Sequence, residues 1–193
     1  ASGSNSFAVG SQANASGVNS MAYGTEALAS GNNAMAIGTT SSATGADAMA
    51  SGVGSIANQE RSIAYGPFAQ ARGIQAMALG SNASATGNGS LAAGALASAT
   101  GSNSIAIGSN SSSTGIDSFS AGFNSTATAD NALAIGSSAA ATANGSFAGG
   151  LAATASGANA MALGTLSTAS ATNSIALGTL STASGLDSWA AGY

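Results

Sequence analysis

Large apolar residues recur along the chain at Phe7, Met21, Met35, Met49, Ile63, Met77, Leu91, Ile105, Phe119, Leu133, Phe147, Met161, Ile175 and Trp189, one every fourteen residues. Each is followed by alanine, Ser120 being the one exception, and then by a residue that is large in some copies (Val9, Ile37, Leu79) and small in others (Ser51, Ala93, Gly149). Alternation of period two predicts a short β-strand, because successive side chains of a strand point to opposite faces. A second alternating segment carries alanine at 15, 29, 43, 57, 71, 85, 99, 127, 141, 155, 169 and 183, with only Ser113 departing. Its flanking positions, Thr126 and Thr128 or Thr168 and Ser170 for example, are mostly polar. This pattern predicts a second strand with alanine inward and hydroxyls outward.

Glycine separates the segments at the same interval. It stands at Gly10, Gly24, Gly38, Gly52, Gly66, Gly80, Gly94, Gly108, Gly122, Gly136, Gly150, Gly164, Gly178 and Gly192, without one insertion or deletion. A second glycine follows seven residues later in most copies (Gly17, Gly31, Gly45, Gly73), and Gln59, Ala129, Ala143 and Ala171 replace it elsewhere, where a differently shaped corner is expected. Glycine and the nearby Asn or Asp tolerate the positive φ that a tight reversal needs. One fourteen-residue unit therefore reads strand, turn, strand, turn. Stacked in parallel, such units give each backbone group a partner about 4.8 Å away. The predicted fold is all-β, a parallel β-solenoid of about fourteen coils spanning residues 1–193 as one repeat domain roughly 60 Å long.

Composition supports a thin structure. Five Phe, three Tyr, one Trp and five Met stand against 28 Gly in 193 residues, so the chain cannot fill a wide interior. The net charge of −4 comes from six acids against Arg61 and Arg72, too few and too scattered for a nucleic-acid site. Without His or Cys the usual general base, thiolate and soft metal ligands are absent, and no catalytic, cofactor or metal residue is assigned. Asp117 and Asp130 lie in adjacent coils but read as surface acids, and Glu60 with Arg61, near Gln59 and Pro67, reads as a decorated corner. Asp47, Asp117 and Asp187 recur every seventy residues, as turn formers in place of Asn. No apolar run is long enough to cross a bilayer, so no membrane contact by this segment is expected.

The motif Asn-Ser-Φ-Ala-Ile/Leu-Gly, best seen at Asn103 to Gly108, Asn131 to Gly136 and Asn173 to Gly178, resembles the Hep/Hag-type head repeats of YadA-like trimeric autotransporter adhesins, over the whole chain. The resemblance implies a left-handed roll, a homotrimer, and display from the Gram-negative outer membrane for attachment to host matrix proteins such as collagen, fibronectin or laminin. It also implies that residues 1–193 are a head segment of a longer surface protein, whose neck, coiled-coil stalk and barrel anchor have no counterpart in this pattern.

The residues independently favour an oligomer, because strand one has bulky residues on one face and small ones on the other, and only one face can pack against strand two. Bulky side chains are expected to fill the roll, with positions such as Ala8 allowing close chain approach. Candidate surface contacts, placed outward on strand two, are Gln12, Glu26, Phe68, Leu96, Leu166 and Leu180. Two other functions fit a solenoid: a ligand-free spacer presenting a distal domain, and an ice-binding face built on the Thr126/Thr128, Thr154/Ser156, Thr168/Ser170 and Thr182/Ser184 hydroxyls.

Overall fold

The computed structural model describes residues 1–192 and contains two compact units, Ala1–Leu96 and a second that begins at Ala97. In the first unit seven three-residue strands, from Phe7–Val9 to Leu91–Ala93, form one parallel ladder, and six two-residue strands, from Asn14–Ala15 to Ser84–Ala85, form another. The second unit repeats the plan with seven strands of each kind, Ile105–Ile107 to Trp189–Ala191 and Ser98–Ala99 to Thr182–Ala183. Paired residues are fourteen apart throughout each unit: Phe7 lies opposite Met21, Gln70 opposite Ser84, Thr126 opposite Ala140. The unbroken period thus becomes an unbroken register, and each unit is a parallel β-solenoid.

The corners are stacked as tightly as the strands. The Gly24 N–H donates to the Val9 carbonyl at 2.8 Å, and Glu26 and Asn33 donate to the Ser11 and Val18 carbonyls at the same distance, each in the preceding coil. This continuity matters because strands of two or three residues supply few ladder bonds of their own. It also dictates the corner residues. Gly108 has φ +123°, and a Cβ there would lie 2.5 Å from the Gly122 carbonyl oxygen, so both backbone conformation and close approach require glycine.

At the second corner the left-handed residue is not the glycine. It is the Asn two positions on, with φ 55° at Asn19 and at Asn33. Gly17 serves close approach instead, since an added Cβ would run into the Gly31 carbonyl. The corners at Gln59, Ala129 and Ala171 keep the standard hydrogen bond, with Ser62, Ala132 and Ser174 donating to residue i−3 at 3.2 Å, as Ser20 does to Gly17 at 3.3 Å. The differently shaped corners expected there are not found at the level of that bond.

The interior reverses the expectation for strand one. Each coil between the two terminal ones buries four small side chains, as in Ser20, Ala22, Ala27 and Ala29, none more than 1% exposed, while Met21 and Tyr23 point outward at 37% and 55%. Two short strands joined by tight corners hold the sheets so close that only Ala or Ser fits between them, and the bulky residues are driven out. Serine substitutes freely where a corner carbonyl is in reach: the Ser20 hydroxyl donates to Gly17 O at 2.7 Å and Ser41 to Gly38 O at 2.8 Å. Ser113 and Ser120 occupy the other two inward positions, where Ala is otherwise the rule. Ser113 finds the Ser118 hydroxyl at 2.7 Å, but the Ser120 Oγ, like that of Ser104, is buried without a partner. Ser120→Ala is therefore expected to raise the unfolding free energy by about 1 kcal/mol, as an unmade hydrogen bond is removed at nearly constant volume. A urea unfolding curve of the variant followed by circular dichroism checks this, and a lowered midpoint would contradict it.

Candidate interaction surfaces

Four outward surfaces follow from the coil: two sheet faces and two corners. The outward face of the three-residue strands is apolar in both units, with Phe7, Tyr65 and Met77 exposed in the first and Ile107, Ile135 and Ile175 in the second. Sizes compensate along it. Phe119, Phe147 and Trp189 are followed two residues later by Ala121, Gly149 and Ala191. A Cβ on Gly149 would meet Leu163 Cδ2 at 2.7 Å and Phe147 Cε2 at 3.3 Å, so the larger neighbours already occupy that space. Evening of this kind keeps a face level enough to pack closely on another surface.

The outward face of the two-residue strands is polar. In the second unit it carries Ser98, Ser112, Thr126, Thr154, Thr168 and Thr182, broken by Ala140, and in the first Leu28, Ile56 and Gln70 interrupt the hydroxyls.

Gln12, Glu26, Phe68, Leu96, Leu166 and Leu180 do not lie on this face. They form the first corner, between the two strands of a coil, with φ between 56° and 61°. All six are exposed, as expected, but their position on strand two is corrected. The corner hydrogen bonds hold this residue in the left-handed region, so strand two begins two residues later.

The second corner carries most of the acids and the Asn ladders, alongside exposed Val18, Ile74, Ile116 and Leu186. Asn side chains form amide ladders between coils: Asn5 donates to Asn19 at 3.3 Å, Asn19 to Asn33 at 3.2 Å, and Asn33 to Asp47 at 2.9 Å. Asn103 likewise donates to Asp117 at 3.0 Å and Asn173 to Asp187 at 2.8 Å. A carboxylate accepts but cannot pass a hydrogen bond on, so each Asp of the seventy-residue repeat ends such a ladder. With φ of 53° to 56°, these acids do act as turn formers. Asp130 Oδ1 accepts the Ile116 N–H at 2.8 Å, so Asp117 and Asp130 serve separate structural bonds. Glu60 and Arg61 approach to 3.7 Å with both side chains more than half exposed, a screened contact of little energetic weight. Among the described residues no group of His, Cys, Asp or Glu could hold a metal, and no pocket is enclosed. Among the described residues no helix is long and apolar enough to cross a membrane.

The interior of this parallel solenoid is Ala and Ser and no pocket is enclosed among the described residues, so any interaction falls to the outward faces. The YadA head domain repeat, in a family model holding two copies, matches residues 1–27, 29–50, 43–69, 71–97, 85–111, 99–125, 113–139, 127–153 and 155–181, and the chain belongs to that family. Five consecutive matches begin fourteen residues apart, in phase with the coils. The family is structural rather than enzymatic. Among solved structures, the crystal structure of the collagen-binding domain of the Yersinia adhesin YadA is 24% identical, with 86% of this chain and 69% of that one covered and a TM-score of 0.41. No curated protein matches the chain.

Proposed function

We propose that this chain is the ligand-presenting head of a bacterial surface adhesin, displayed from the Gram-negative outer membrane as a homotrimer and attaching to host matrix proteins such as collagen, fibronectin or laminin. The observation that carries the proposal is the apolar outward face of the three-residue strands. The interior accepts only Ala and Ser, so residues such as Met77, Ile107 and Ile135 gain burial only against another surface. A second and third copy of the same chain supply that surface in a closed ring, and the hydroxyl-rich faces then remain outward. Three such faces on one particle add weak contacts to a repetitive matrix ligand.

The test is light scattering of the purified segment over a dilution series, followed by binding to immobilised collagen, fibronectin and laminin. The expected results are a mass near three times 17.7 kDa that persists on dilution, and saturable binding to at least one of the three. A persistent trimer that binds none of them would replace adhesion by the spacer role, and a monomer would overturn the assembly.

A further inference from the structure

The polar sheet face of the second unit carries two ranks of hydroxyls. Each of its seven two-residue strands, Ser98–Ala99 to Thr182–Ala183, places one side chain outward. The residue after the strand stays in the ladder, since the Thr100, Thr114 and Ser156 N–H groups each donate to the next coil at 2.9 Å. Alternation of period two therefore brings a second rank, Thr100 to Ser184, onto the same face as the first, Ser98 to Thr182. Ala140 is the one member of either rank without a hydroxyl, and every coil carries at least one threonine. The second rank is exposed throughout, and the first is half-buried except at exposed Thr182. Strand spacing sets the rows about 4.8 Å apart, and two residues of strand rise set the ranks roughly 6.6 Å apart. In the first unit Leu28, Ile56, Gln70 and Arg72 interrupt the same ranks, so the regular grid is confined to the second.

The chemistry of the grid narrows what it can hold. Neither rank carries a charge, since Asp117, Asp130 and Asp187 all stand at the second corner, so a charged polymer gains nothing there. From Ser98 to Ser184 neither rank offers an aromatic, amide or carboxylate side chain with which to grip a saccharide. The hydroxyls are available to an outside partner: among the described residues only that of Thr114 donates within the chain, to the Thr128 carbonyl at 3.1 Å. Threonine adds stiffness, because its branched Cβ restricts χ1 and sets a methyl beside each hydroxyl in a fixed place. A rigid, level, uncharged grid that repeats in two directions fits a lattice of water, whose oxygens recur over similar distances on the faces of an ice crystal. Waters bridging such fixed hydroxyls lose little further freedom when the crystal takes them up. We propose that the hydroxyl face of the second unit binds ice. Binding of this kind needs one chain only, and stands apart from both the homotrimer and matrix attachment.

The test is ice recrystallisation in a frozen sucrose film containing the 193-residue chain, with thermal hysteresis measured in parallel. The chain should arrest grain growth at a concentration where an equal mass of albumin does not. Thr128→Tyr/Thr168→Tyr raises two rings out of the level grid and should need about tenfold more protein for the same arrest. Thr172→Tyr, the same change at the second corner, should stay within about a factor of two of the parent. Outward substitutions cost little stability, so both variants should keep their β circular dichroism spectrum; where the double variant loses it, Thr128→Tyr alone is read in its place. Grain growth in the parent as fast as in albumin would overturn ice binding, and a folded face variant as potent as the parent would overturn the assignment to this face. Neither result bears on the trimer, which light scattering tests by itself.

Discussion

Replacing Ala134 with leucine is expected to lower the unfolding free energy by more than about 3 kcal/mol, at or beyond the upper end of the cost of overpacking a core. Ala134 is 0% exposed, stands between Ser120 and Ala148 in its ladder, and belongs to an interior that includes Ala127, Ala141 and Ala155, all likewise fully buried. In a wide core a leucine finds room by repacking flexible neighbours. Here every neighbour is Ala or Ser, with no rotamer to yield, and hydrogen bonds tie each coil to the next at strands and corners alike. Separating the sheets to admit the side chain would break bonds in several coils at once. Urea unfolding monitored by circular dichroism measures the loss, with Ile135→Ala as the outward control, which should change the isolated chain by less than about 1 kcal/mol. A loss below that figure at Ala134 would show the interior to be more compliant than its composition implies.

Paired substitution of Ile105 and Leu133 by aspartate is expected to abolish assembly while leaving the coil folded. Both side chains are outward on the apolar sheet face of the second unit and only partly covered. In a single chain the new carboxylates reach water at small cost. Around a three-fold axis each substitution would gather three like charges in a dry contact, and burying an unpaired charge costs several kcal/mol. Dissociation should move upward by on the order of a thousandfold in concentration, which dilution-series light scattering reads directly. A trimer that survives both substitutions would remove this face from the axis.

Much of the fold is written in the spacing. The unbroken interval between Gly10 and Gly192 admits one economical structure, because a repeat too short to bury its own apolar residues must stack, and equal lengths must stack in register. The inward alanines of strand two were legible for the same reason. The corner chemistry was legible only in part. Gln12 and its equivalents read as outward strand residues because alternation can be extended backwards from Asn14, whereas Asn82, Asn110 and Asn124 at that position were a signal of left-handed backbone. The Asn ladders gave a further clue, visible once Asp47, Asp117 and Asp187 are seen to lie one coil beyond an Asn.

The order of residues by itself determined the length of the coil, its parallel register and the small size of whatever lies inside it, because these depend on periodicity and volume alone. Which face of strand one turns inward was decided only in three dimensions. Phe7 and Ala8 alternate equally well in either orientation, and the choice falls to the gap between the two sheets, which the tight corners set at the width of an alanine. The same gap sends the bulky residues outward and so creates the apolar face from which the proposed assembly follows.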